Sequence, residues 1–191
     1  MIEFTVLKTK FFVSPLFFSV LTVFLILDKS HIAGAAILFS LLHEMGHLLA
    51  LLSLKSHPKR MTINLFGLNI ELCGNLSTPK KCFVFSMGFA VNFILSALFF
   101  VAENPLFEYI NLIIGIFTAI PLPSSDGGSI LRTVLEEFVP EKADLVFKNT
   151  AFAFAFIISV LIIAVFVFTK NYFVFIALFY IFLCIKKLPP N

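Results

Sequence analysis

The stretch Leu41-Leu42-His43-Glu44-Met45-Gly46-His47-Leu48-Leu49 lies within an apolar run that extends from about His31 to Leu54. It contains an H-E-x-x-H motif, and on a helix His43 and His47, four residues apart, share one face. Two such histidines can hold one zinc ion, and Glu44 is placed to act as a general base towards a water molecule. Ionisable groups at membrane depth are costly, so their presence in an apolar run indicates a function.

The composition is that of a polytopic membrane protein. The chain has 191 residues, of which 60% are hydrophobic and 27 are Phe, and its mean hydropathy is +1.04. The net charge of +3 is small and dispersed, so it gives no basis for expecting a nucleic-acid partner. Cys73, Cys82 and Cys184 match neither a disulfide framework nor a zinc motif, and we interpret them as structural.

The apolar runs predict an all-α polytopic membrane protein with six transmembrane helices in a single domain, 1–191. Alternation on both sides of Gly67 predicts a small interfacial β-hairpin over 60–73, between the second and third spans. The more polar residues 129–148 are expected to form a helix outside the lipid. The six spans, each long enough to cross a bilayer with some tilt or thinning, are about 11–27, 32–54, 83–102, 106–120, 149–168 and 172–185.

The distribution of basic residues predicts the orientation. Twelve of the fourteen Lys and Arg fall in the N-terminal tail, the 55–82 loop, the 121–148 loop and the C-terminal tail, which six spans place on one side. Only Lys29 and Lys170 lie on the other side. The positive-inside rule therefore predicts a multi-pass cell-membrane protein with both termini in the cytoplasm.

A third metal ligand is expected because catalytic zinc takes three protein ligands and keeps one position open. Asp126 is the candidate, since it follows the fourth span in the helix-breaking stretch Pro121-Leu122-Pro123-Ser124-Ser125-Asp126-Gly127-Gly128. An aspartate before glycine is also an ordinary turn residue, and spacing alone does not decide between the two interpretations.

These two motifs together resemble the site-2 protease family of intramembrane zinc metalloproteases, over residues 11–185. The compact bacterial branch that processes a sporulation sigma-factor precursor is the most similar. The resemblance implies that one Zn²⁺ is bound by His43, His47 and Asp126, and that Glu44 is catalytic. The segment Gly88-Phe89-Ala90-Val91-Asn92 is similar to the family's G-P-x-x-N, with Phe89 in place of proline. The role of Asn92, in helix packing or in catalysis, stays open.

Two positions depart from the family pattern: Thr118 stands where asparagine is usual, and Ser125 where leucine is usual. The resemblance implies hydrolysis of a peptide bond in or near a transmembrane segment of a membrane-protein substrate, with the hairpin holding the substrate extended. That substrate could be a regulatory pro-protein, and a membrane regulatory subunit is a further possible partner. Neither a PDZ domain nor a nucleotide-sensing domain is expected.

Three other functions remain open. The first is a catalytically inactive membrane scaffold that retains the protease fold, which the departure at Thr118 leaves possible. The second is a transporter, which would favour internal repeats with paired broken helices; we find one broken segment and no repeat. The third is a membrane zinc peptidase of another kind, which usually needs a larger water-exposed domain.

Overall fold

The computed structural model describes residues 2–6, 9–13, 19, 22, 26, 32–56, 58–64, 67–72, 76–170, 174–186 and 188. The chain divides into two compact units, Met1–Ile116 and Phe117–Asn191. Helix predominates in the described part of the chain, as expected for a helical membrane protein. The described elements that begin in the first unit are β1 (Ile2–Val6), β2 (Thr9–Val13), α1 (Ile32–Ser53), β3 (Pro58–Asn64), β4 (Gly67–Leu72), α2 (Thr78–Val101) and α3 (Pro105–Ala119), of which α3 ends within the second unit.

Three stretches among the described residues are long and apolar enough to cross a membrane: α1, α2 and Pro140–Thr169. They correspond to the second, third and fifth predicted spans. The fourth predicted span is the apolar helix α3, which at 15 residues is shorter than the other three. The predicted first span, 11–27, lies mostly outside the described residues.

The strands form one sheet in the order β1-β2-β3-β4. β1 and β2 are antiparallel, β2 and β3 are parallel, and β3 and β4 are antiparallel, with Met61 opposite Ile70. β3 and β4 occupy the residues for which a hairpin is predicted, but β1 and β2 enlarge the sheet beyond that prediction. Residues 11–13 belong to β2 rather than to the start of a span, because the periodicity of a short apolar run does not separate a strand from a helix.

The exposed and buried faces of α1 are those of a helix in lipid. Large apolar side chains at i, i+3 and i+4 spacing are exposed, whereas the opposite face buries both histidines. A helix on the surface of a water-soluble protein has the reverse arrangement. The exposed apolar side chains of this stripe are Leu38, Leu41, Met45, Leu49 and Leu52.

Two contacts hold α1 against its neighbours within the first unit. At one end, the buried side chains of Ala50 and Leu51 pack against Val84 of α2. At the other end, Phe39, Phe99 and Phe107 place one ring each from α1, α2 and α3 in mutual edge-to-face contact, with centroids 5.2–5.5 Å apart. Edge-to-face pairs of this kind stabilise packing beyond simple contact area. The histidines lie on α1 between these two contacts.

The second unit contains α4 (Asp126–Phe138), a short 3₁₀ helix (Pro140–Lys142), α5 (Ala143–Thr169) and α6 (Val174–Lys186). Its buried apolar cluster joins Leu122, Ala155 and Ile181. The prediction of one polar helix over 129–148 is wrong in its extent. Pro140 lacks the N–H that a continuing helix needs, so α4 ends at Phe138 and the last residues of the predicted helix begin α5.

The cysteines that the structure describes are free. Cys82 is half-buried and Cys184 is buried. Cys73 lies outside the described residues.

Candidate metal centre

The two histidines of α1 are buried, with 5% of His43 and 3% of His47 exposed. Their rings lie edge to face with centroids 5.0 Å apart. Glu44, between them in sequence, is half-buried. Buried imidazoles need partners for their ring nitrogens, and in both cases a partner of Nδ1 is a group on α2.

The hydrogen bond of His47 determines which of its nitrogens carries a proton. Nδ1 lies 2.8 Å from the backbone carbonyl oxygen of Val84. A carbonyl oxygen only accepts, so Nδ1 must donate and the lone pair of the neutral ring is on Nε2. A donated Nδ1–H bond to a carbonyl is the usual way in which a protein orients a metal-binding histidine.

His43 reaches the same state through a longer chain of hydrogen bonds. Its Nδ1 lies 2.7 Å from Oδ1 of Asn92, and Asn92 Nδ2 donates to Oδ1 of Asn111 at 3.1 Å. Asn111 Nδ2 in turn donates to the carbonyl oxygen of Phe107 at 2.8 Å. Both asparagines are 0% exposed. The lone pair of neutral His43 is therefore on Nε2 as well.

Gly88 leaves space for the metal-binding edges of both rings. A Cβ added to Gly88 would lie 2.5 Å from His47 Cε1 and 2.7 Å from His43 Cε1, and it would also collide with His47 Nε2. Real Cβ atoms are not found this close to other atoms, so a larger residue would displace the rings. Gly88 and Asn92, four residues apart on α2, thus both face the histidines.

In the second unit, Ser125 organises the break that precedes Asp126. Its hydroxyl oxygen accepts from the backbone N–H of Leu122 at 3.1 Å and of Gly128 at 3.0 Å, and its proton is directed to the carbonyl oxygens of Ile120 and Leu122. Ser125 is thereby the N-cap of α4, and Asp126 is the first residue of that helix. A carboxylate is favourable there because helix N-termini carry partial positive charge.

Glycine is required directly after Asp126. A Cβ at Gly127 would overlap the carbonyl oxygen of Ala119 and would lie 2.5 Å from its carbonyl carbon. The end of α3 therefore passes against the start of α4 at a distance that only glycine allows. Asp126 itself is half-buried.

In both His43 and His47 the Nδ1 hydrogen bond places the ring proton on Nδ1 and the lone pair on Nε2. Two such nitrogens together with one carboxylate oxygen make up the ligand set of a catalytic zinc site. Asp126, the carboxylate selected from the sequence, stays the predicted third ligand.

Sequence reasoning left the role of Asn92 open and missed Asn111. A signal for Asn111 was present, since an asparagine in the apolar run of α3 needs a buried partner. The partner could not be identified from spacing, because it lies on another helix.

The fold and the buried histidine pair define a predominantly helical membrane protein that carries a possible metal site. Its fold is similar to that of the "Site-2 Protease from Methanocaldococcus jannaschii", with a TM-score of 0.66 and 18% sequence identity, and the match covers 100% of this chain and 95% of that chain. No protein-family model matches the sequence, and no curated protein matches it at a significant level. The structural likeness confirms the predicted site-2 protease-like fold.

Proposed function

We propose that this protein is an intramembrane zinc metalloprotease that hydrolyses a peptide bond in or near a transmembrane segment of a membrane protein. The observation that carries the proposal is the buried pair of histidines on α1, His43 and His47, whose Nδ1 atoms are both bonded to groups on α2. We propose Asp126 as the third ligand. Both histidines come from a helix long and apolar enough to cross a membrane. The site-2 protease-like fold supports the same function.

The chemistry divides between the ion and the protein. A zinc ion held by His43, His47 and Asp126 would acidify a bound water molecule and polarise the carbonyl of the scissile peptide. Glu44 is the general base: it accepts a proton from the attacking water and returns it to the leaving amine. The Nδ1 hydrogen bonds of the two histidines keep both rings oriented throughout.

The substrate must be presented in an extended form. The carbonyls of a transmembrane helix are engaged in hydrogen bonds to the N–H groups four residues on, so a substrate helix has to unwind locally before attack. β4 is an edge strand of the sheet, and an extended segment that paired with it would be held open for hydrolysis.

The proposed topology has six spans, with both termini and the active site facing the cytoplasm. The distribution of twelve of the fourteen Lys and Arg supports this orientation. The partners proposed are a membrane-protein substrate, such as a regulatory pro-protein, and a membrane regulatory subunit.

The deciding experiment compares Glu44→Gln with the wild type. The variant should retain one zinc per chain, measured by mass spectrometry of the metal, because Glu44 is not a ligand. It should also trap a membrane substrate that can be crosslinked and identified, and cleavage of that substrate on co-expression should be lost. Glu141→Gln, which changes an exposed glutamate of the 3₁₀ helix, is the matched control and should cleave normally.

Two results would oppose the proposal. Cleavage at the wild-type rate by Glu44→Gln would eliminate Glu44 as the base. Zinc bound by the wild type without cleavage of any trapped partner would favour the alternative, a catalytically inactive membrane scaffold that retains the fold.

A further inference from the structure

We propose that Asn111 is a positioning residue that sets the tautomer of His43 by orienting the side-chain amide of Asn92. This inference rests on the proposed function only in taking His43 as a metal ligand. It concerns a residue of α3 that is linked to His43 through Asn92. Asn111 is 0% exposed, and its amide is the link between His43's partner and a backbone carbonyl.

The direction of the hydrogen-bond chain is set at its far end. The carbonyl of Phe107 can only accept, so Asn111 must turn its NH₂ group towards Phe107 and its oxygen towards Asn92. Asn92 then turns its NH₂ group towards Asn111 and its oxygen towards His43. A second bond from Asn92 Nδ2 to the Phe39 carbonyl oxygen, at 3.4 Å, is longer and supports the same orientation.

This direction matters because an asparagine amide can either donate or accept. If Asn92 presented its NH₂ group to His43, Nδ1 would have to accept, and the ring proton of neutral His43 would move to Nε2. The lone pair on Nε2 would then be lost, and with it the ability to bind a metal without tautomerisation. Such a reversal would also bring the oxygens of Asn92 and Asn111 together with no proton between them, so Asn111 opposes it.

His47 provides a natural comparison within the same site. Its Nδ1 faces the Val84 carbonyl, a group that never donates, so its tautomer needs no further support. His43, whose Nδ1 partner is an amide, is connected through that amide to Asn111 and to the Phe107 carbonyl. Asn111 therefore accounts for a difference between two ligands that lie on the same helix.

The direct test is the histidine tautomer in metal-free protein, read from two-bond ¹H–¹⁵N couplings at a pH where both rings are neutral. In the wild type, His43 and His47 should both carry the proton on Nδ1. In Asn111→Leu, His43 should become a mixture of tautomers while His47 stays unchanged, so His47 is an internal reference. His43→Gln and His47→Gln assign the signals.

Zinc affinity, measured by competition with a chromophoric chelator, is the second readout. Loss of an outer partner of a ligand weakens metal binding by about 10- to 100-fold, and for Asn111→Leu we expect about 10-fold because it acts through Asn92. Ser96→Ala removes a buried hydroxyl one helical turn beyond Asn92 on α2 and should leave affinity and tautomers unchanged.

A rescue distinguishes positioning from general damage. Adding Asn92→Asp to Asn111→Leu gives His43 a partner that only accepts when ionised, so zinc affinity should return towards the wild-type value. If Asn111→Leu does not fold, Asn111→Ser is used instead. The serine hydroxyl can bond to the Phe107 carbonyl but is too short to reach Asn92, so the same mixture of His43 tautomers is expected.

An unchanged His43 tautomer and unchanged zinc affinity in a folded Asn111→Leu or Asn111→Ser variant would overturn the inference. Failure of the proposed function looks different. In that case His43→Gln itself would leave zinc affinity at the wild-type value, whatever the state of residue 111.

Discussion

The carbonyl oxygen of Val84 accepts a hydrogen bond from His47, and four residues further along α2 the missing side chain of Gly88 leaves room for the opposite edge of the same ring. One turn of α2 thus contacts His47 on both sides. The first contact is made by the backbone, so no substitution at position 84 removes the acceptor. The second contact depends on the side chain, and it can be tested.

Gly88→Ala should fold but bind zinc at least about 10-fold more weakly, because the new methyl group displaces the imidazole rings. Zinc content and chelator competition measure the loss. Gly34→Ala is the matched control, since a Cβ at Gly34 meets nothing within 4 Å, and an alanine in a helix is favoured by up to about 1 kcal/mol over glycine. Equal zinc affinity in the two variants would contradict this account of Gly88.

Asp126→Asn should weaken zinc binding by at least about 100-fold and should abolish cleavage. This loss is larger than that caused by removing a residue that only hydrogen-bonds to a metal ligand. The expected cause is loss of the only anionic ligand in the proposed set. Asp144→Asn is the control: its carboxylate is 71% exposed and pairs with Arg132 on the surface, where ion pairs contribute little. Zinc retained at full affinity by Asp126→Asn would remove Asp126 from the site.

Ser125→Ala should destabilise the protein by about 1–2 kcal/mol, because the Gly128 N–H loses its acceptor and the Leu122 N–H keeps only the Ile120 carbonyl oxygen. Thermal unfolding in detergent measures the change. Ser125→Leu introduces the residue that is usual at this position in the site-2 protease family. It should destabilise the protein at least as much, since leucine cannot cap α4. Ser129→Ala is the control, because its hydroxyl donates one hydrogen bond, to the Ser125 carbonyl oxygen, and caps no helix. If Ser129→Ala lowered the unfolding temperature as much as Ser125→Ala does, Ser125 would have no special role.

The six-span topology predicts the accessibility of single cysteines placed in a cysteine-free background. Cysteines at Lys29 and Lys170 should react with a membrane-impermeant maleimide in intact cells. A cysteine at Lys187 should react only after the membrane is opened. Labelling of Lys187→Cys in intact cells would reverse the orientation and place the C-terminus outside.

The sequence was most informative where chemistry is local. His43 and His47 share a face because of helix geometry alone, and the apolar runs around them predicted the helices that hold them. It was less informative about which residue types meet across helices. The partnership of Asn92 with Asn111 depends on the packing of α2 against α3, which no spacing within one segment determines.

Two further differences have specific physical causes. Apart from Lys10, the residues of β2 (Thr9–Val13) are β-branched or apolar and suit either a strand or the start of a span; pairing with β3 makes them a strand. From the sequence, Ser125 stands out only because the site-2 protease family usually has leucine at this position. Its hydroxyl bonds to backbone groups on both sides, an arrangement that becomes visible only once the chain reverses between Ile120 and Gly128.

The parallel pairing of β2 with β3 has a consequence for how often the chain traverses the bilayer. Hydrogen-bonded strands of one open sheet lie in the same aqueous compartment, since exposed sheet edges are not tolerated in lipid. The number of traversals between Val13 and Pro58 must then be even. The single long helix described between them, α1, would make it odd, and the span predicted before Ile32 restores the parity. Strand pairing therefore supports an even number of membrane crossings between Val13 and Pro58, independently of the charge distribution.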